Sequence, residues 1–144
     1  MNVSKKILGG VILSLLLSVF AQASEGYKNL FVTITTDNLK QSGMGVAVAS
    51  AFNGAGVNTT VLIGADAAHL VLKKGKQEKF GPTGKSIKQM LVDLAKAGGD
   101  VMLCGMCAKF DEIGAKDVVS GVRIVTPGDV AGALLAPSTQ TLSF

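Results

Sequence analysis

Among its 144 residues the chain has no tryptophan, one tyrosine, one histidine, two cysteines and three prolines. Each scarcity removes a class of function. Few aromatics leave little on which nucleic-acid bases could stack. A formal net charge of +4, two units of which are Lys5 and Lys6 at the extreme N-terminus, is too weak to argue for nucleic-acid binding. With His69 the only histidine, a Ser-His-Asp arrangement or a metal centre would have to use it. Zinc takes about four nitrogen or sulfur ligands, whereas His69, Cys104 and Cys107 make three, so a zinc site would have to be shared across subunits. No metal is expected, and His69 reads as a partly buried helix residue. Covalent haem attachment needs a histidine directly after Cys107, and that residue is Ala108. Two cysteines do not make a disulfide-rich scaffold, so the fold must stand on an apolar core.

What is present begins with the N-terminus. Lys5 and Lys6 precede an apolar run from Ile7 to Phe20, and Ala21-Gln22-Ala23 supplies small residues at the two positions a signal peptidase reads. This is the secretory pattern, with cleavage expected after Ala23. The run is shorter than the ~20 residues a membrane-spanning helix needs, so no stable anchor is expected once it is cleaved. The chain therefore divides into a signal peptide, 1–23, and one domain, 24–144, in the periplasm or outside the cell. No internal repeat or linker interrupts that domain.

Leu30–Thr36 is rich in β-branched residues and reads as a first strand, with a turn at Asp37 and Asn38. Met44, Val48, Ala51, Phe52 and Ala55 fall at helical spacing, and Gly54 and Gly56 supply a stop. Val57–Ile63 is a second strand, and Asp66 is placed to cap a short helix through Leu72. A polar, basic connection from Lys73 to Lys79 leads to an amphipathic helix whose apolar face is Ile87, Met90, Leu91 and Leu94. Val101–Leu103 is a third strand. A short helix over Ala108–Ile113, a strand at Val122–Val125, a helix opening at Pro127 and a last strand over Thr139–Phe144 complete the pattern. Strands alternating with helices imply crossover connections and a mainly parallel five-stranded sheet in a three-layer α/β/α sandwich. Sites in open sheets of this class lie beyond the carboxyl ends of the strands.

Gly84-Lys85-Ser86 has the look of a phosphate loop. The full motif needs a glycine five residues earlier, where Lys79 stands, so Pro82-Thr83-Gly84 reads as a turn with Thr83 or Ser86 capping the next helix. The stronger signal is Val101-Met102-Leu103-Cys104-Gly105-Met106-Cys107. It sets the only two cysteines three residues apart at the end of an apolar strand. A thiol at the start of a helix meets unpaired N–H groups and the positive end of the helix dipole, which favour the reactive thiolate. The pair has three readings. It is a structural bridge or two inert thiols, a dithiol/disulfide couple, or a cysteine that accepts sulfur as a persulfide beside a second thiol. A bridge across so short a loop stabilises little on the loop-entropy model. Thioredoxin-like proteins carry their pair after an early strand, and this pair comes late.

The ordered set of elements resembles the DsrE/DsrF-like family, which includes sulfur-relay proteins. The elements are the Leu30–Thr36 strand followed by Asp37, the small-residue helix ending at Gly56, the Thr83-Gly84-Lys85-Ser86-Ile87 opening and Gly98-Gly99. A strand running into Cys104, then Gly114, Gly121 and the C-terminal Thr141-Leu142-Ser143-Phe144 complete the set. The resemblance covers Leu30 to Phe144. It implies a small three-layer α/β domain that forms homo-oligomers, and a persulfide-carrying cysteine after the third strand, the place of Cys104. Cys107 has no counterpart in single-cysteine carriers, and an export signal departs from the cytoplasmic relay members.

The expectation is an exported sulfur-handling protein. Cys104 would take sulfane sulfur from a small donor or a donor protein, and Cys107 would act as resolving thiol. Lys109 would support the thiolate if it folds back, and Gly105 would allow close backbone approach. No cofactor is expected. A dithiol redox protein and a non-enzymatic oligomeric binding protein are the alternatives.

Overall fold

The structure is a computed structural model that describes residues 28–144. The expected signal peptide and cleavage site lie outside the described residues, as do residues 24–27.

Five strands form one parallel sheet: β1 (Asn29–Ile34), β2 (Asn58–Ile63), β5 (Asp100–Cys104), β6 (Val122–Val125) and β7 (Thr139–Ser143), in the order β6-β5-β2-β1-β7. Every pairing among them is parallel, so the α/β sheet expected from the alternation is present and wholly parallel. The register sets Val32 beside Val61, Val61 beside Val101 and Ile63 beside Leu103. These residues, with Leu30 and Ile34, lie on one face and form the centre of the core. Helices α1 (Leu39–Gly54) and α2 (Ile87–Lys96) pack against that core. Phe31, Met102 and Val125 are buried yet stand outside this cluster, on the opposite face of the sheet. The connection from β6 to β7 reverses the direction of strand addition. A right-handed crossover therefore puts its helix α4 (Pro127–Leu134) over that second face.

The amphipathic helix is as its periodicity predicts: Ile87, Met90, Leu91 and Leu94 are all buried, and the Gln89 N–H donates to Oγ of Ser86, the cap. Helix α1 differs. It starts five residues before Met44, capped by Asn38, whose side chain accepts from the N–H groups of Lys40 and Gln41. Its buried face is Ser42, Gly43, Gly45, Val46 and Ala49, while Met44 and Phe52 face outward. The reason is steric: a Cβ at Gly43 would fall 2.5 Å from Cδ2 of Phe80, and one at Gly45 would fall 2.9 Å from Cδ2 of Phe144. The basic connection ends in a small antiparallel hairpin, β3 (Lys79–Phe80) with β4 (Lys85–Ser86), and this hairpin delivers Phe80 to α1.

Two further starts differ from expectation. Residues Ala65–Val71 form a 3-10 helix whose cap is Gly64, so Asp66 sits inside the first turn rather than capping it. Helix α3 (Gly105–Phe110) begins three residues before Ala108, directly at the end of β5, and places Cys107 within its first turn. Helix α4 opens with Pro127 as expected. It carries a reciprocal cap in which Thr126 accepts from the Asp129 N–H and Asp129 accepts from the Thr126 N–H.

Candidate functional site: a thiol pair beside a carboxylate-lined cavity

Strand β5 is buried from Val101 to Leu103, and this fixes where the chain emerges at Cys104. Cys104 is the N-cap of α3: its φ/ψ of −53°/117° is non-helical, and its Sγ accepts from the Cys107 N–H at 3.4 Å. Gly105 follows because nothing larger fits. A Cβ there would collide with the carbonyl oxygen of Val125 at the end of β6, and this is the close backbone approach expected of it. On the other side, a Cβ at Gly64 would just touch Cβ of Cys104 and Sγ of Cys107, each at 3.4 Å. The pair therefore rests across the carboxyl ends of β2, β5 and β6.

The two thiols are free, half-buried and pushed in opposite directions. Burial works to raise the Cys104 thiol. It is outweighed by donation from the Cys107 thiol and from the N–H groups of Cys107 and Met106, which hold it below the ordinary range. Cys107 is pushed up by burial, by its donation to Cys104, and by the negative charges of Cys104 and Asp111. One N–H opposes that rise. Ala65 donates to Cys107 Sγ at 3.2 Å, from a backbone held at φ 48°, a left-handed conformation unfavourable to a residue with a Cβ. Lys109 is exposed in the last turn of α3 and absent from the wall beside the thiols; what draws Cys104 down is the set of S–H and N–H donors.

Cys107 opens onto a cavity of about 710 Å³ beyond the ends of β1, β2 and β5. Asp37 enters from the end of β1, Asp66 and His69 from the 3-10 helix, and Asp111 from the end of α3. Leu72, Ile113, Met106 and Phe110 supply apolar wall, the last two being 74% and 88% exposed. His69 is not the partly buried residue expected. Its side chain is 54% exposed, and Nε2 stands 3.7 Å from Oδ2 of Asp37. Among the described residues no cluster of three or more histidine, cysteine, aspartate or glutamate residues is arranged to hold a metal.

The structure thus brings Cys104, Cys107 and Gly105 together and adds Asp37, Asp66 and Asp111, which the sequence reading did not join to them. A signal existed for the first two. Both follow directly on strand ends, where open parallel sheets place their sites. Gly84-Lys85-Ser86 lies elsewhere, with Lys85 paired to Asp93 at 2.7 Å and Ser86 capping α2, as the turn reading expects.

The sequence pattern that defines the DsrE/DsrF-like family matches residues 28–144. The chain belongs to that family. Its fold agrees with the family match. The YchN protein of E. coli superposes with a TM-score of 0.69 at 22% identity, covering 82% of this chain and 99% of that one. MTH1491 of Methanobacterium thermoautotrophicum, a protein of unknown function, gives 0.65 at 11% identity, covering 82% and 99%. BT1422 of Bacteroides thetaiotaomicron, also of unknown function, gives 0.61 at 14%, covering 81% and 95%. Likeness at these identities concerns fold alone. No curated protein matches the chain. Membership of the DsrE/DsrF-like family is consistent with sulfur relay in general, and the chemistry must be argued from the two thiols.

Proposed function

We propose that this protein is an exported sulfur carrier that holds sulfane sulfur as a persulfide on Cys104, with Cys107 as resolving thiol. The observation that carries the reading is the opposed tuning of two thiols one helical turn apart. Cys104 is drawn below the ordinary thiol range by its S–H and N–H donors, and Cys107 is pushed above it beside a cavity. Thiolate is the nucleophilic form, so Cys104 attacks first. Its sulfur bonds to the terminal sulfur of a donor persulfide, the donor S–S bond breaks, and the donor leaves as thiolate. Cys104 then carries one added sulfur. Cys107, once deprotonated, attacks the inner sulfur of that persulfide. The Cys104–Cys107 disulfide forms and hydrosulfide leaves with the electron pair of the broken bond. An external dithiol restores both thiols by exchange.

The partners are a sulfane-sulfur donor and an acceptor, small or protein-borne. Export rests on the N-terminal charge, apolar run and Ala21-Gln22-Ala23. Self-association into a homo-oligomer rests on the family resemblance and on Leu134 and Leu135 left exposed at the end of α4.

Mass spectrometry on residues 24–144 tests the chemistry. The protein is reduced, exposed to a polysulfide donor and mapped without reductant. One added sulfur on Cys104 is expected. Cys104→Ser loses it, and Cys107→Ser lengthens its lifetime. Unchanged loading in Cys104→Ser rejects the assignment.

The same tuning also favours a second reading, a dithiol/disulfide couple without sulfur transfer. A clean disulfide with no hydrosulfide released would select it. A reduction potential below about −300 mV would instead mark an inert bridge.

A further inference from the structure

The wall beside Cys107 carries charge of nearly one sign. Asp37, Asp66 and Asp111 contribute three carboxylates, and His69, adjacent to Asp37, is the one basic side chain among the described residues lining the cavity. This is a local property, because lysine and arginine outnumber aspartate and glutamate by 14 to 10 in the chain. Lys73, Lys74 and Lys116 line an adjoining depression of about 300 Å³. That depression shares Leu72, Asp111 and Ile113 with the main cavity. The same wall includes the apolar side chains of Met106, Phe110, Leu72 and Ile113.

Small sulfur anions such as thiosulfate or hydropolysulfide need cationic side chains or clustered N–H groups to enter a cleft; the described residues lining this one supply no cationic chain beyond His69, and the N–H groups of Met106, Cys107 and Ala65 are already directed at the two thiol sulfurs. An anion would also approach Asp111, whose charge is already felt at Cys107. A cationic group on a short apolar chain meets the opposite conditions. Its charge faces carboxylates, its methylenes meet the exposed faces of Met106 and Phe110, and a sulfur a few bonds away reaches Cys107, the thiol on the cavity wall, with Cys104 hydrogen-bonded to its N–H.

We infer that the cavity selects sulfane-sulfur donors bearing an ammonium or guanidinium group a few bonds from the sulfur, such as aminoalkyl persulfides, and discriminates against small inorganic sulfur anions. The inference rests on the proposed reactivity of the thiol pair but not on the fate of the sulfur.

The test separates the two. Reduced residues 24–144 are mixed with three disulfides of similar length: cystamine, doubly cationic; hydroxyethyl disulfide, neutral; and dithiodipropionate, doubly anionic. Loss of the reduced protein, counted as mixed disulfide plus Cys104–Cys107 disulfide, is timed by mass spectrometry against a neutral model thiol, which removes the intrinsic differences among reagents. The expected order is cystamine, hydroxyethyl disulfide, dithiodipropionate. The extremes should differ by about 10-fold or more at low salt, and the spread should shrink as salt screens the exposed carboxylates. Asp66→Asn with Asp111→Asn, both exposed positions, should collapse the order, read as each charged reagent's rate divided by that of the neutral one. A lysine-flanked cysteine peptide, presented as its disulfide, runs alongside. If it outpaces cystamine, the same chemistry is assigned to a protein-borne donor. Rates that follow the model thiol for all reagents overturn the charge selection and leave the thiol pair reactive. No reaction with any reagent overturns the thiol reading itself, and this inference with it.

Discussion

Cys104 and Cys107 share a helix terminus and little else. Cys104 precedes the first turn and collects donors; Cys107 lies inside that turn, donates to Cys104 and faces a carboxylate. For a thiol, a lowered pKa means the reactive anion appears at lower pH. Alkylation followed residue by residue across pH should therefore show Cys104 modified at pH values where Cys107 is still protected. Cys107 should gain reactivity only on the alkaline side of an ordinary thiol. Replacing Cys107 by Ser keeps a hydroxyl donor and its N–H, so the Cys104 profile should move only slightly; replacing it by Ala removes the side-chain donor and should move the profile up. Peptide-resolved mass spectrometry reads both, and earlier alkylation of Cys107 would reverse the assignment of attacking and resolving thiol. At this scale the pair was legible because a cysteine three residues from another at a strand end is a local pattern. The carboxylates were less so: Asp37 and Asp66 carry the signal of following strand ends, but it is the sheet that brings Asp111 to the same cavity, and spacing along the chain does not record that.

Helices α1 and α2 show what apolar periodicity reads and what it misses. In α2 the buried face is made of large side chains, and their spacing names it. In α1 the inward face is chosen by smallness. Gly43 and Gly45 are buried because Phe80 and Phe144 occupy the space a side chain would need, and small Ser42 is buried beside them. Apolar Met44 and Phe52, at 56% and 45% exposure, are left outside. Neither phenylalanine is near α1 in sequence, one coming from the hairpin and the other from the chain end, so the local pattern points to the wrong stripe. Gly43→Val should therefore lose about 1–3 kcal/mol by overpacking against the Phe80 ring. Met44→Lys, one residue on, should stay within about 0.5 kcal/mol of the parent. Urea unfolding measures both, and a shifted midpoint at unchanged slope would assign the loss to the folded state. Equal effects at the two positions would show that α1 buries the stripe its apolar residues suggest.

At the scale of the whole molecule, alternation of strands and helices made the parallel α/β sheet legible, but not its strand order. Hydrophobic pattern records which residues are buried and is silent on which strands are neighbours. The step that matters is the last: after β6 the chain crosses to the far side of β1, carrying α4 to the face opposite α1 and α2. Among the described residues the helix on that face contributes little burial. Helix α4 is eight residues long and has no buried residue, whereas α1 and α2 bury five and four. Leu134 and Leu135 stand 38% and 78% exposed at its end; on edge strand β7, Leu142 pairs with Val32, so it lies on the face of α1 and α2, and stands 37% exposed. Edge strand β7 also presents unpaired backbone groups along its free side. The proposed self-association gives these surfaces an occupant, a second copy of the chain. Residues 24–144 should then sediment as an oligomer whose mass falls on dilution. Leu135→Lys, placing a charge where an apolar contact is expected, should weaken association by about 10-fold or more, a loss of about 1.4 kcal/mol or more per contact. Its position at an exposed helix end should leave the unfolding of the isolated subunit unchanged within about 0.5 kcal/mol. A wild-type chain that sediments as a monomer at every concentration would remove the oligomer from the proposal. The thiol chemistry would be untouched, because Cys104, Cys107 and the wall of their cavity all come from a single chain.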